Sequence, residues 1–408
     1  MSATASSVQT GVGAALEELR RAGLLRELRT LDSAPGARVR LGGHEVLLLC
    51  SNDYLGLAGH PQVRAAAAEA AQRWGAGAGA SRLVSGNLAL HERLEAELAA
   101  FKGTEACLLF GSGYLANTGV IAALAGRDDV IVSDARNHAS IVDGCRLSRA
   151  QTVVYDHGDL DALAAALRGA GGRRALIVTD AVFSMDGDLA PLEGIVELAR
   201  RHGARIVVDE AHATGVVGPG GRGLVAALGL EDEVDVVVGT LGKALGSYGA
   251  FAACTRQMAA YLLNRARTAI FSTALPPPAV GAALEALRLV REQPALLARL
   301  HANARTLREA LVAQGLPILS TGQPTMPIVP LVVGDPHAAM GLCAAALAEG
   351  VFAQAIRPPT VAPGTSRLRL VATAAHDPAD LRAAAVTLGA AASRGQAPAL
   401  DDPHSPSP

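Results

Sequence analysis

Val236-Val237-Val238-Gly239-Thr240-Leu241-Gly242-Lys243-Ala244-Leu245-Gly246 joins an apolar run of strand length to a turn of small residues that holds a single lysine. The run predicts a buried strand. A lysine at the mouth of such a strand, with only small residues around it, is unusual, because Lys is rarely buried without a partner. A desolvated amine has a lowered pKa and becomes a usable nucleophile, which is what a Schiff-base lysine requires. A surface lysine in a Gly-rich turn fits the same residues, so the neighbouring segments have to decide.

Those neighbours repeat the same punctuation. Strand-length apolar runs at Ala106–Phe110, Val130–Val132, Thr152–Tyr155, Ala175–Thr179, Arg205–Val208, Val234–Val238 and Ala250–Cys254 alternate with amphipathic helical segments that include 114–125, 159–168 and 192–202. This alternation predicts an α/β fold with a mostly parallel sheet flanked by helices, and a site at the carboxyl ends of its strands. Upstream, 14–31 predicts an Arg-rich amphipathic helix, Glu45–Cys50 a strand and 62–74 an Ala-rich helix. Downstream, 278–314 reads as helical, opened by Pro276-Pro277-Pro278. Strands at Ile328–Val333, Val351–Ile356 and Leu368–Val371, with helices near 337–349 and 378–392, then make a smaller C-terminal α+β unit. The expected division is an N-terminal helix and strand segment over 1–55, a large α/β domain over 56–290, a small domain over 291–395 and a disordered polar tail over 396–408.

Composition narrows the function classes. The chain has 408 residues, half of them hydrophobic, and a formal net charge of −2, enough for a large core. Near-neutral charge offers no electrostatic case for nucleic acid or a membrane surface. The five cysteines are scattered without a CxxC pair, which suggests neither a disulfide framework nor a zinc site and fits a reducing cytoplasm. No apolar h-region opens the chain and no uncharged stretch is long enough to span a bilayer, so neither a signal peptide nor a membrane span is expected.

Several motifs fall just beyond strand ends. Ala106–Phe110 runs into Gly111-Ser112-Gly113-Tyr114, a strand, Gly-rich turn and helix start that suits a phosphate. An ordinary βα turn would look similar. Ile206–Val208 ends in Asp209-Glu210-Ala211-His212. A helicase DEAH box would need a Walker A loop, but Val237 stands where its first Gly belongs and Ala244 follows Lys243. A metal site would need partner ligands at metal-ligand spacing, and none is apparent. The remaining reading is a carboxylate paired with a protonated heterocyclic nitrogen, as pyridoxal 5'-phosphate (PLP) requires. Gly75-Ala76-Gly77-Ala78-Gly79 follows a helix and lacks GxGxxG spacing, so it is no dinucleotide fingerprint; a ligand-approaching loop and a linker both remain open. His138 and Ser184 each follow a strand of the same sheet.

The order Gly113-Tyr114, His138, Asp209-x-x-His212 and Thr240-x-x-Lys243 resembles that of the α-oxoamine synthases, a group of fold-type I PLP-dependent transferases. The likeness runs from about residue 14 to 394, and Ser51–Leu57 and Phe183–Asp188 are typical of the group. Ile356–Leu370 and residues 81–117 look most like the branch that makes 8-amino-7-oxononanoate in biotin synthesis. Glycine C-acetyltransferases share the same cofactor residues, and a non-catalytic PLP-fold binding protein is a further reading that Lys243 disfavours.

The resemblance implies a role for each residue. Lys243 bonds covalently to PLP as a Schiff base and serves as base, Asp209 keeps the ring nitrogen protonated, and His138 stacks on the ring. His212, helped by Ser184, bonds the phenolic oxygen, while Gly113, Tyr114 and Thr240 serve the phosphate. Ser272 and Thr273 reach a neighbouring subunit's phosphate, which implies a homodimer with its active site at the subunit interface. Arg369 binds the amino-acid carboxylate, and Asn52, Thr360 and Arg26 touch substrate, with Arg20 or Arg21 as alternatives to Arg26. The implied substrates are L-alanine and pimeloyl-CoA or pimeloyl-acyl carrier protein, in the cytoplasm, with no metal.

Overall fold

The structure is a computed structural model and describes residues 3–395. The expected disordered tail lies outside the described residues. Two compact units make up the chain. One comprises Asn52–His301 with Thr373–Ala375; the other comprises Ala302–Ala372 together with the flanking stretches up to Ser51 and from His376.

The second unit opens with the helix Ala3–Arg21, which stops ten residues short of the expected end. Gly23 adopts a left-handed φ of 66°, and the Leu24 N–H turns back to the Leu19 carbonyl, closing the helix. Arg26 therefore lies beyond the helix. Strands β1 (Arg38–Leu41) and β2 (His44–Leu48) form an antiparallel hairpin across Gly42-Gly43, both at positive φ as a tight hairpin turn demands.

The first unit is built on a seven-stranded sheet. Its strands are β3 (Ala106–Phe110), β4 (Val130–Asp134), β5 (Gln151–Tyr155), β6 (Ala175–Asp180), β7 (Arg205–Asp209), β8 (Val236–Thr240) and β9 (Ala250–Cys254), in the order β3-β9-β8-β7-β6-β4-β5. Every pairing is parallel except the two made by β9. Leu241–Gly249, between β8 and β9, is too short for a parallel crossover, so β9 turns back beside β8 and leaves Lys243 in the connection. Strands β4, β6, β8 and β9 are buried at every position, which explains their unbroken apolar runs, whereas the edge strand β5 is largely exposed. Three strands continue past their apolar residues to an aspartate. β4 reaches Asp134, β6 reaches Asp180 and β7 reaches Asp209, because the ladder persists there (Asp180 is paired with Asp209).

The expected long helix at 278–314 is two helices, Pro277–Glu292 and Ala295–Ala313. Pro294 lacks an N–H and pushes Gln293 out of the helical region, to φ −121° and ψ 72°. The expected strand Val351–Ile356 also divides. In the second unit β10 (Ile328–Gly334) is followed by β11 (Val351–Phe352), which pairs parallel with β2, and by β12 (Ala355–Ile356), which pairs antiparallel with β13 (Ser366–Val371). Strand β13 also pairs with β10, and their Leu331, Leu368 and Leu370 share a core with Leu307 and Leu388.

A buried ion pair stands directly behind the end of β7. Lys102, at the end of the helix Ala89–Lys102, meets Glu210, with side chains 3% and 0% exposed. The ammonium also reaches Thr214 Oγ1 at 3.2 Å and the Arg222 carbonyl at 2.5 Å. The Val225 N–H donates to Glu210 Oε1 at 2.8 Å. Gly223, at φ 112°, leaves room for the carboxylate; a Cβ there would lie 1.9 Å from Glu210 Oε2. Lys102→Met strands the Glu210 charge and is expected to cost roughly 3–5 kcal/mol in urea unfolding. A loss below about 1 kcal/mol would show that the pair does not hold this strand end.

Candidate active site

The candidate residues of the first unit collect at the carboxyl ends of its strands, as an open α/β sheet demands. Asp209 ends β7 and is buried. Its Oδ1 accepts the Ala211 N–H at 2.8 Å, and its Oδ2 accepts an Asn117 Nδ2–H at 2.6 Å. His212 lies three residues on, at 6% exposure. Its Nε2 stands 2.7 Å from Lys243 Nζ, and its Nδ1 stands 2.6 Å from the Tyr54 hydroxyl. Tyr54 is fully buried and lies 3.3 Å from Asn52 Oδ1. Lys243, His212, Tyr54 and Asn52 thus form one hydrogen-bonded line. The Tyr54 hydroxyl donates to Asn52 Oδ1, so it accepts from His212 Nδ1–H, and His212 Nε2 is left to accept from the Lys243 amine.

Tyr54 rides on a loop wound around a carboxylate. Asp53 accepts the N–H groups of Leu57 at 2.9 Å and Ala58 at 3.1 Å, and Gly56 takes φ 70°. Burial raises the Asp53 pKa to about 6 despite those bonds.

His138 caps the helix Ala139–Ser148. Its backbone N–H donates to Asp180 Oδ2 at 2.7 Å, and its Nδ1 lies 2.7 Å from Ser140 Oγ. Although the residue is exposed, its ring is desolvated enough to lower its pKa; Asp209 opposes that shift and Lys243 adds to it. Asp180, beside Asp209 in the ladder, is pushed well above the usual carboxylate range, first by burial and then by Asp209. Two adjacent strand-end carboxylates cannot both carry charge cheaply, and Asp180 is the one driven toward the neutral form.

A donor cradle opens at the start of the helix Gly113–Leu124. Ser112 Oγ accepts the Leu115 N–H at 3.2 Å, while the N–H groups of Gly113 and Tyr114, in the first turn, have no acceptor within the helix. Thr240 ends β8, and its Oγ1 donates to the Gly249 carbonyl at 3.1 Å and accepts the Gly242 N–H at 3.2 Å. The Gly113 Cα faces Thr240, whose Cβ would lie 4.0 Å from an added Cβ. A phosphate suits these N–H groups, a protonated ring nitrogen suits Asp209 and a carbonyl carbon suits the Lys243 amine, so the residues present fit PLP.

Ser184 sits on a loop closed by a Val182–Leu189 bridge and the bond from the Phe183 N–H to the Asp188 carbonyl. His157 fastens this loop to the sheet, with Nδ1 2.9 Å from Asp134 Oδ1 and Nε2 2.6 Å from Asp188 Oδ2. Ser272 is half-buried and Thr273 exposed; Thr273 forms an antiparallel bridge with Ser81. Gly75–Gly79 is therefore no free linker: Gly75 ends a helix, and the Ala274 N–H donates to Ala80. Arg26, Thr360 and Arg369 belong to the second unit. There Arg26 and Thr360 are exposed, and Arg369 is buried in β13 with its N–H on the Gln354 carbonyl at 3.2 Å. Arg20 pairs with Glu17 on the exposed N-terminal helix.

Sequence reasoning passed over Tyr54, Asn117, Ser140, His157 and Asp180. Two of them carried a signal. Asp180 continues an apolar strand run, as Asp209 does, and Asn117 is a polar residue inside a mostly apolar helix.

The profile of the family described as "Aminotransferase class I and II" matches residues 44–388. The 8-amino-7-oxononanoate synthase of Anaeromyxobacter dehalogenans (strain 2CP-1) is 54% identical over 370 residues, covering 91% of this chain and 92% of that protein. Among solved structures, a serine palmitoyltransferase from S. paucimobilis with bound PLP and myriocin has a TM-score of 0.90 at 32% identity, covering 96% of this chain and 98% of that one. An 8-amino-7-oxononanoate synthase from Francisella tularensis has a TM-score of 0.74 at 26% identity, covering 86% and 99%. The fold is thus fold-type I of the PLP-dependent enzymes, and the chain belongs to the class I and II aminotransferase family. Within it, the chain belongs to the 8-amino-7-oxononanoate synthase family.

Against the lowering effect of burial, the hydrogen bonds to Asp134 and Asp188 raise the His157 pKa from 6.5 to about 9. A group whose pKa is raised on folding stabilises fully below its unfolded value and loses that contribution as pH climbs through its folded value. Thermal unfolding should therefore show stability falling between about pH 6.5 and about 9, and His157→Gln should flatten that fall. An unchanged slope in the variant would remove His157 as its source.

Proposed function

We propose that the protein condenses L-alanine with a pimeloyl thioester, releasing CO2 and free thiol to give 8-amino-7-oxononanoate, with PLP as cofactor. The observation that carries this reading is 54% identity, over nine-tenths of the chain, to a protein of that name. Serine palmitoyltransferase structures superpose with a higher TM-score than the Francisella synthase does. Backbone likeness measures a scaffold shared across reactions, so sequence identity is the better guide to substrate.

Bound PLP supplies an electron sink for the bond changes at the amino acid's Cα. Asp209 holds the proton on the ring nitrogen, itself held in place by the Ala211 N–H and Asn117. The Lys243 amine takes the Cα proton of alanine and later returns one, a task for a group whose pKa is near the working pH. His212 orients that amine, and Tyr54 fixes His212. Gly113 and Tyr114 N–H groups with Thr240 hold the phosphate, and Ser184 supports the phenolic oxygen. His138 covers the ring and donates to the substrate carbonyl oxygen. Asn52, Arg369, Thr360 and Arg26 bind the substrate's polar groups. A homodimer is part of the proposal, with Ser272 and Thr273 reaching a second copy's phosphate. The exposed Phe271, at 69%, and Tyr248, at 57%, offer the apolar surface that a second copy would cover. Among the described residues no helix is long and apolar enough to cross a membrane, and a cytoplasmic location is proposed.

A steady-state panel of glycine, alanine and serine against acetyl, succinyl, pimeloyl and palmitoyl thioesters tests the substrate assignment. Alanine with pimeloyl thioester should prevail; serine with palmitoyl, or glycine with acetyl, would replace it. Lys243→Ala should abolish turnover. Asp209→Asn should lower kcat by about a hundredfold or more, in line with the loss of an essential proton-holding group, and leave urea unfolding little changed. Normal turnover in either variant would refute the assigned roles.

A further inference from the structure

We infer that Asn117 and Ser140 are positioning residues that lock His138 as the neutral tautomer protonated at Nε2, a hydrogen-bond donor rather than a base. The side-chain bonds lead to His138 Nδ1, and a backbone N–H donating to the same nitrogen fixes their polarity. Asn117 is 1% exposed and faces Asp209 Oδ2 at 2.6 Å. An amide can meet a carboxylate only through its NH2, since the reverse orientation sets two acceptors against each other. The second Nδ2–H then points to Ser140 Oγ at 2.9 Å. Ser140 Oγ can accept a second bond as well as donate one, so its 2.7 Å contact with His138 Nδ1 takes its direction from what else reaches that nitrogen. The Ser140 backbone N–H also approaches Nδ1, at 3.3 Å. Two donors on Nδ1 leave the ring proton on Nε2.

The helix adds to the lock. His138 caps the ten-residue helix Ala139–Ser148, and the positive end of its dipole opposes an imidazolium. The charged neighbours of His138 divide: Asp209 favours its protonation, whereas Lys243 opposes it. Asp180, which accepts the His138 backbone N–H, is itself driven toward the neutral form. The arrangement has a cost, because Asn117 Oδ1 is buried with no hydrogen-bond partner among the described residues. A buried amide that leaves its oxygen unpaired while using both hydrogens is fitted to a donor's task.

The catalytic value of the lock depends on PLP chemistry at this site; the tautomer does not. Long-range 1H–15N spectra of 15N-histidine-labelled protein, with and without PLP, read the tautomer directly, and His138→Gln identifies its signals. The expected result is an unprotonated Nδ1 and a protonated Nε2. Ser140→Ala should mix the tautomers and raise the His138 titration midpoint, and Asn117→Ala should act in the same direction. A wild-type His138 protonated at Nδ1 would overturn the lock, as would an unchanged tautomer and midpoint in folded Ser140→Ala. If Ser140→Ala fails to fold, the wild-type spectrum decides alone. Because the spectra need no turnover, a failed substrate panel leaves them unaffected.

Discussion

A carboxylate at the end of a fully buried strand takes up a proton unless donors reach it. Asp209 meets that constraint with the Ala211 N–H on one oxygen and Asn117 on the other. Much of the surrounding structure follows. Asn117 can reach it only because the helix Gly113–Leu124 lies against the sheet, and the same amide donates to Ser140 Oγ, which lies 2.7 Å from His138 Nδ1. Asp180, on the neighbouring strand, is driven toward its neutral form, first by burial and then by Asp209.

The ion pair behind this carboxylate serves a different need. Glu210 is the very next residue, and its side chain goes to Lys102 rather than into the cluster around Lys243. Successive strand-end residues point to opposite faces, so one acid can serve the site and the next can anchor the backbone. Gly223 is glycine partly to give that anchor room. A buried pair of this kind specifies geometry at the expense of desolvation, which suits a position where a small shift would move Asp209.

Much of the fold was legible because its strands are buried on both faces. Such strands read as unbroken apolar runs, and β3, β6, β8 and β9 were visible on that basis. Helix ends were harder. The N-terminal helix ended early at Gly23, and the helical stretch after Pro276 broke at Pro294, both cases of local chemistry overriding periodicity. The division of 351–356 between two sheets carried no local signal at all, because pairing partners lie far away in sequence. Of the candidate site, the residues at strand ends were legible through their order. Tyr54, Asn117 and Ser140 were not, since their importance lies in what they touch.

The sequence by itself determined the α/β architecture, the family, and the presence of Lys243, Asp209, His212 and His138 at or just beyond the ends of β8, β7 and β4. These depend on residue type and order along the chain. Only the tertiary structure decided which acid is driven toward its neutral form, that His212 bridges Tyr54 and Lys243, and that Asn117 and Ser140 line up behind His138. Charge state and bond polarity depend on distances between residues remote in sequence. Asn117 and Asp209 stand 92 positions apart, yet their atoms lie 2.6 Å from each other.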